Sequence, residues 1–176
     1  MKMKSRKRTR LQTMDYSENG AYFITICAKN KQKIFGDIVG VGALDAPQIR
    51  LSPIGRLVEK YILSTNNIPE ITVDTYVIMP NHIHLLLCVS NENGTSKAPS
   101  PTPTPPPSRA NQLLPHAIAT FKRFVNRDVG DNVFQRSFHD HVVRGEQDYR
   151  DIWHYIEHNP QQWREDCFFR RRLMHF

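Results

Sequence analysis

The run Met79-Pro80-Asn81-His82-Ile83-His84-Leu85-Leu86-Leu87 carries the residues of this chain best suited to chemistry. It is apolar and β-prone, so it reads as a buried strand. Side chains at i and i+2 of a strand share a face, which sets His82 beside His84 and turns Ile83 to the opposite face. Two imidazoles converging from one strand can chelate a divalent cation. The same spacing also suits a pair of satisfied core histidines.

A second group lies towards the C-terminus. Residues 146–158 have helical composition and end at Asn159-Pro160, because proline disfavours helix at the residue before it. On that helix Tyr155 and Asn159 are i and i+4, neighbours on one face. A phenol is a poor nucleophile at its free pKa of about 10. It can attack phosphorus when a bound cation withdraws charge from the phosphate and a base or local field assists ionisation. Two imidazoles and an amide oxygen make an incomplete coordination shell, with room for phosphate oxygens and water, which suits Mg2+ or Mn2+. Periodicity alone equally fits Tyr155 as a core residue with a solvated hydroxyl and Asn159 as a helix C-terminal residue.

Other elements must bring these groups together. Residues 21–28 form a dense β-prone run, and a second strand starts over 34–39. Residues 40–47 look like a loop before a short extended stretch, 48–51. Ser52-Pro53 is a helix start, with Ser as cap and Pro in the first turn. The stripe Ile54, Leu57, Val58, Tyr61 and Ile62 faces a core. Residues 71–79 and 82–89 read as one strand or two collinear ones, bent near Pro80-Asn81. A helix over 116–127 turns Ile118, Phe121 and Val125 inward, with Phe124 at the edge. Its Lys122, Arg123 and Arg127 lie largely off that stripe and could grip a nucleic-acid backbone. Residues 133–144, which include His141 and Arg144, are short and irregular to extended.

A chain of 176 residues suits a single compact domain over 1–176. No run approaches the roughly 18 apolar residues of a membrane span, and the basic N-terminus lacks the hydrophobic stretch of a secretory signal. Cys27, Cys88 and Cys167 are odd in number and widely spaced, which points to a reducing, cytoplasmic setting and away from a zinc ribbon. The net charge of +7 is concentrated at the ends, in Lys2, Lys4, Arg6, Lys7, Arg8 and Arg10 and in Arg170, Arg171 and Arg172. With these nine set aside from the 24 basic residues, 15 remain against 17 acidic ones. A basic arm over 1–14 is either a phosphate-backbone contact, which gains from counterion release, or a solvated tail. Residues 90–110 hold six of the twelve prolines and have almost nothing to bury, so a disordered, extended surface insertion is expected there.

Three blocks give the chain a family likeness: residues 79–87, the segment Phe134-Gln-Arg-Ser-Phe-His-Asp-His-Val-Val-Arg144, and Tyr155-Ile-Glu-His-Asn-Pro160. A weaker one is Tyr22-Phe-Ile-Thr-Ile26. Together they resemble the single-tyrosine HUH transposases of bacterial insertion sequences, in the REP-associated tyrosine transposase branch, over roughly residues 15 to 165. The resemblance implies an α+β fold, a ferredoxin-like antiparallel sheet carrying the histidine pair with helices on one side. It implies His82, His84 and Asn159 as metal ligands, Mg2+ or Mn2+ as the cofactor, and Tyr155 as the nucleophile. Such enzymes cut single-stranded DNA near a hairpin, leaving a 5′-phosphotyrosine and a free 3′-hydroxyl that can reverse the reaction. His141 falls in a family-like block, where it could orient DNA or the tyrosine, or simply make a structural hydrogen bond. Departures are Phe124 and Phe138, where tyrosine is common among relatives, and the proline-rich insertion.

Two other readings compete with the strand transferase. One is a catalytically silent, domesticated module that binds hairpin DNA, and the other is a metal-dependent hydrolase with water as nucleophile and Tyr155 structural. The sequence leaves open whether the chain acts as a monomer or a homodimer.

Overall fold

The computed structural model describes residues 19–40, 47–90 and 112–163. The basic arm, all but the first residue of the proline-rich insertion, and the C-terminal arginines lie outside the described residues.

Strands β1 (Gly20–Cys27), β4 (Ile71–Met79), β5 (His82–Val89) and β6 (His139–Val142) form one antiparallel sheet in the order β4-β5-β1-β6. Helix α1 (Pro53–Ser64) precedes β4, and α2 (Leu113–Val129) joins β5 to β6. This is the βαββαβ arrangement of a ferredoxin-like core. A separate pair, β2 (Gly36–Val39) and β3 (Gln48–Leu51), is inserted before α1, and α3 (Gly145–His158) follows β6.

Residues 71–79 and 82–89 are not collinear. They are the arms of a hairpin, with Met79 paired to His82 across Pro80-Asn81. Proline fixes its own φ and offers no ladder N–H, which favours a turn over a continuous strand. The turn is pinned from outside, since Pro80 O accepts from Phe35 N at 3.0 Å and Asn81 O from Ala28 N at 2.9 Å.

Strand alternation then sorts the side chains. Ile83, Leu85, Leu87 and Val89 join Tyr22, Ile24 and Ile26 under α1 (Val58, Ile62) and α2 (Leu114, Ile118, Phe121, Val125). The other face carries Val77, Met79 and Leu86 against Ile152 and Ile156 of α3 and against Trp163. Helices therefore cover both faces of the sheet rather than one. Strand β5 is buried on both sides and so needs cover on both.

Helix starts and stops follow local chemistry. Ser52 Oγ accepts from Gly55 N at 3.0 Å, with Pro53 in the first turn. Gly55 has no substitute, because a Cβ there would lie 1.9 Å from the Phe35 carbonyl oxygen. Helix α2 starts at Leu113 rather than at His116. Pro115 falls in its first turn, where a missing N–H breaks no helical bond. The helix ends at Gly130 in the left-handed region, φ 80°. Among the described residues, no helix is long and apolar enough to cross a membrane.

Candidate active site

His82 and His84 sit side by side on β5, fully buried on the face that α3 covers, with their Nε2 atoms 3.0 Å apart. Each ring is held at its other nitrogen. Asn81 Oδ1 lies 2.8 Å from His82 Nδ1. An amide oxygen only accepts, so Nδ1 of His82 carries the proton and Nε2 the lone pair. Thr25 Oγ1 lies 2.9 Å from His84 Nδ1. A hydroxyl can donate or accept, so Thr25 can serve either tautomer of His84.

Burial keeps both rings neutral. It holds His82 well below the ordinary histidine value, helped by the positive charge that His84 would carry and by Lys31. It brings His84 down to about 3. Neutral imidazoles are the form that binds metal.

The aromatic neighbours fix ring orientation. Phe23 stacks on His84 at 5.1 Å between centroids and 25° between planes, and Trp163 stacks on His82 at 6.0 Å. Lys33 Nζ lies 5.6 Å from the Trp163 ring centre. Of the two tryptophans near the helix, Trp163 packs in the core and Trp153 is exposed.

Tyr155 reaches this pair from α3. Its hydroxyl is 3.4 Å from His84 Nε2, and its ring meets Phe23 edge-on at 5.9 Å. The side chain is 38% exposed, so the hydroxyl lies between a buried imidazole pair and the surface. Tyr149 is engaged elsewhere: its hydroxyl donates to Asp74 at 2.5 Å, which raises its pKa. Asp74 occupies an irregularity in the β4 register between Val73 and Thr75.

Asn159 caps the C-terminal end of α3, one turn beyond Tyr155, and is 1% exposed. Its Oδ1 is buried and has no hydrogen-bond partner among the described residues. An unpaired buried amide oxygen is costly unless something binds it. The imidazole spacing points the same way, because adjacent ligands at about 2.1 Å around an octahedral cation lie about 3.0 Å apart. The imidazole pair therefore has the spacing of two adjacent ligands of a divalent cation, and Asn159 offers an oxygen donor on the helix that covers it.

The remaining expected residues are dispersed. Lys122 donates to Gln135 O and Ser137 O, both at 2.9 Å, and so holds the loop before β6. Arg127 bonds Asp128 at 2.8 Å and the Tyr61 hydroxyl at 3.2 Å. Arg123 is exposed and packs over Phe124. With Arg136, Asn126 and Gln135 these residues line a hollow of about 580 Å3 on the α2 side of the molecule, away from α3. Arg144 is exposed at the start of α3. His141 Nε2 bonds Asp148 Oδ2 at 2.9 Å, and the same oxygen accepts from Arg144 N, so His141 ties β6 to α3. Lys4, Arg6, Lys7, Arg8 and Arg10 lie outside the described residues.

Sequence reasoning missed Thr25, Phe23 and Asn81 as the groups that hold the imidazoles. Thr25 stands opposite His84 on one side and His139 on the other, so all three share the α3 face. The available signal was a threonine two residues after a phenylalanine on β1, which alternation places on one face.

The fold has counterparts among known proteins. The structure of a REP-associated tyrosine transposase bound to a REP hairpin superposes with a TM-score of 0.60, covering 89% of this chain and 74% of that one at 14% identity. The fold is that of the REP-associated tyrosine transposase, with the histidine pair on a central strand of the sheet. No family model matches the sequence. An uncharacterized protein of Haemophilus influenzae is 32% identical over 177 residues, spanning 93% of each chain. The chain belongs to the same family as that protein.

Proposed function

We propose that this protein is a transposase that cleaves and rejoins single-stranded DNA at hairpin-bearing sites, with Tyr155 as the nucleophile. The observation that carries the reading is the Tyr155 hydroxyl, 3.4 Å from His84 Nε2 and still reachable from solvent.

His82, His84 and Asn159 would hold Mg2+ or Mn2+. Imidazole nitrogens are softer donors than Mg2+ prefers, so Mn2+ is the better match. The ion would supply charge withdrawal from the scissile phosphate. Thr25 and Asn81 orient the imidazoles, and Phe23 and Trp163 keep the rings from rotating. Tyr155 Oη attacks phosphorus and loses its proton to solvent. The bond from phosphorus to the 3′ oxygen breaks, and that oxygen leaves as a 3′-hydroxyl. The product is a 5′-phosphotyrosine, whose bond energy is kept for the reverse reaction at another 3′-hydroxyl.

The structural neighbour was solved on a REP hairpin. That likeness supports a hairpin-bearing substrate for this chain, and the basic residues support a phosphate backbone as partner. Arg123, Arg127 and Arg136 gather around one hollow, and Arg144 stands exposed at the start of the tyrosine helix.

The test is incubation with Mn2+ and labelled hairpin-bearing single strands from the flanking DNA, followed by a denaturing gel. A slow-migrating covalent species is expected. Cut DNA without an adduct would instead assign water as the nucleophile. Binding without cutting, on several alternative hairpins, would leave a silent DNA-binding module.

A further inference from the structure

The outward face of α3 carries a second group of ligand-type side chains. His154, Glu157 and His158 each offer one ligand atom, and these atoms all lie within 4.8 Å of one another. The spacing is i, i+3 and i+4, which stacks the three on one face over a single helical turn. Glu157 Oε2 is 3.9 Å from His154 Nδ1 and 3.9 Å from His158 Nδ1. The imidazole rings are tilted by 44° to each other at 6.0 Å between centroids.

The His158 ring is anchored at Nδ1. Its Nδ1 lies 2.9 Å from the carbonyl oxygen of His154, and a carbonyl only accepts, so Nδ1 carries the proton. Nε2 is then the nitrogen with the lone pair. A metal-binding histidine ordinarily has its other nitrogen fixed in this way by a backbone carbonyl. Trp153 meets the His154 ring edge-on at 5.9 Å.

We propose that His154, Glu157 and His158 form a surface site for a borderline transition-metal ion of the Zn2+ class, separate from the buried imidazole pair. Two imidazoles and one carboxylate match the ligand preference of such ions, and three protein ligands leave a further position open. The three ligands span the last turn of α3, from the residue before Tyr155 to the residue before Asn159. A bound ion links successive positions of that turn and restrains the segment on which both residues are carried.

The test uses the full-length, untagged protein and Zn2+ alone, followed by isothermal titration and by hydrogen exchange over residues 154–159. The protein with both His82→Ala and His84→Ala is expected to retain one equivalent of Zn2+. Adding His154→Ala and His158→Ala should abolish it. In the otherwise unaltered chain, H154A/H158A should remove one equivalent while leaving the circular dichroism spectrum intact, since both side chains reach the surface. This keeps the test valid if the buried pair proves necessary for folding. Zn2+ should slow exchange in the last turn of α3, and Glu157→Gln should weaken binding without abolishing it. Stoichiometry unchanged by H154A/H158A, or exchange in that turn unaffected by Zn2+, would overturn the proposal.

Discussion

The hydroxyl of Tyr155 and Nε2 of His84 lie 3.4 Å apart although 71 residues separate them in sequence. Tyr149, on the same helix, has its hydroxyl on Asp74. The two phenols should therefore respond differently to loss of oxygen. Tyr155→Phe keeps the edge contact with Phe23 and is expected to fold and bind DNA as the parent does, while forming no covalent adduct. Tyr149→Phe is expected to form the adduct normally and to lose about 0.5 kcal/mol of stability, the low end for a solvent-exposed hydrogen bond. Adduct formation and urea unfolding of the two variants check both statements. An adduct on Tyr155→Phe would remove that residue as the nucleophile.

Thr25 gives a prediction about metal affinity. Its hydroxyl is the partner of His84 Nδ1, and valine has the same shape without it. Thr25→Val should weaken Mn2+ binding about 10- to 100-fold, the range for loss of a group that orients a ligand. The measurement is Mn2+ titration followed by electron paramagnetic resonance. Affinity equal to that of the parent would mean that His84 is oriented by its stacking on Phe23 alone.

Acid should unfold the chelator-treated protein early. An unfolded histidine takes up a proton near pH 6.5, whereas burial holds His84 to about 3 and lowers His82 as well. Between these values the unfolded chain binds more protons than the native one, so stability falls as pH falls. The buried pair's contribution is fully present above about pH 6.5 and is lost progressively towards pH 3. Thermal melts between pH 7.5 and 4.5 should show the decline, and His84→Gln should flatten it. A parent midpoint that stays constant over that range would contradict neutral burial of the pair.

Lys122 and Arg123 are adjacent in sequence and should separate cleanly in experiment. Lys122 holds two loop carbonyls, so Lys122→Met is expected to cost about 1–3 kcal/mol in stability. Arg123 is exposed, so Arg123→Ala should leave stability unchanged within about 0.5 kcal/mol. If it contacts a phosphate, the same change lowers the slope of log affinity against log salt by about 0.7 for a single strand. Denaturant curves and a salt series of filter binding give both readings. An unchanged slope would take Arg123 out of the DNA contact.

The sequence spoke clearly where a local rule sufficed. The i, i+2 spacing put His82 and His84 on one face, Ser52-Pro53 marked the start of α1, and the i, i+4 spacing joined Tyr155 to Asn159. It failed where the answer lay between distant segments. Pro80-Asn81 marks a break, but the β-prone runs on both sides are the same whether the chain bends there or reverses. Thr25 meets His84 only through the register of β1 on β5, across 59 residues. The choice of face for α3 depends on the crossing after β6, and no periodicity within the helix encodes it.

Helix α3 rests on the sheet mainly through Ile152 and Ile156, whereas α1 and α2 share the larger cluster on the opposite face. Segments with fewer buried apolar contacts open at lower free energy than the body they rest on. Amides of β5 should therefore be the slowest to exchange with solvent, and those of α3 should exchange sooner. The imidazole pair is thus laid down with the sheet, and the helix that carries the phenol is expected to open at a lower free energy than the strand beneath it.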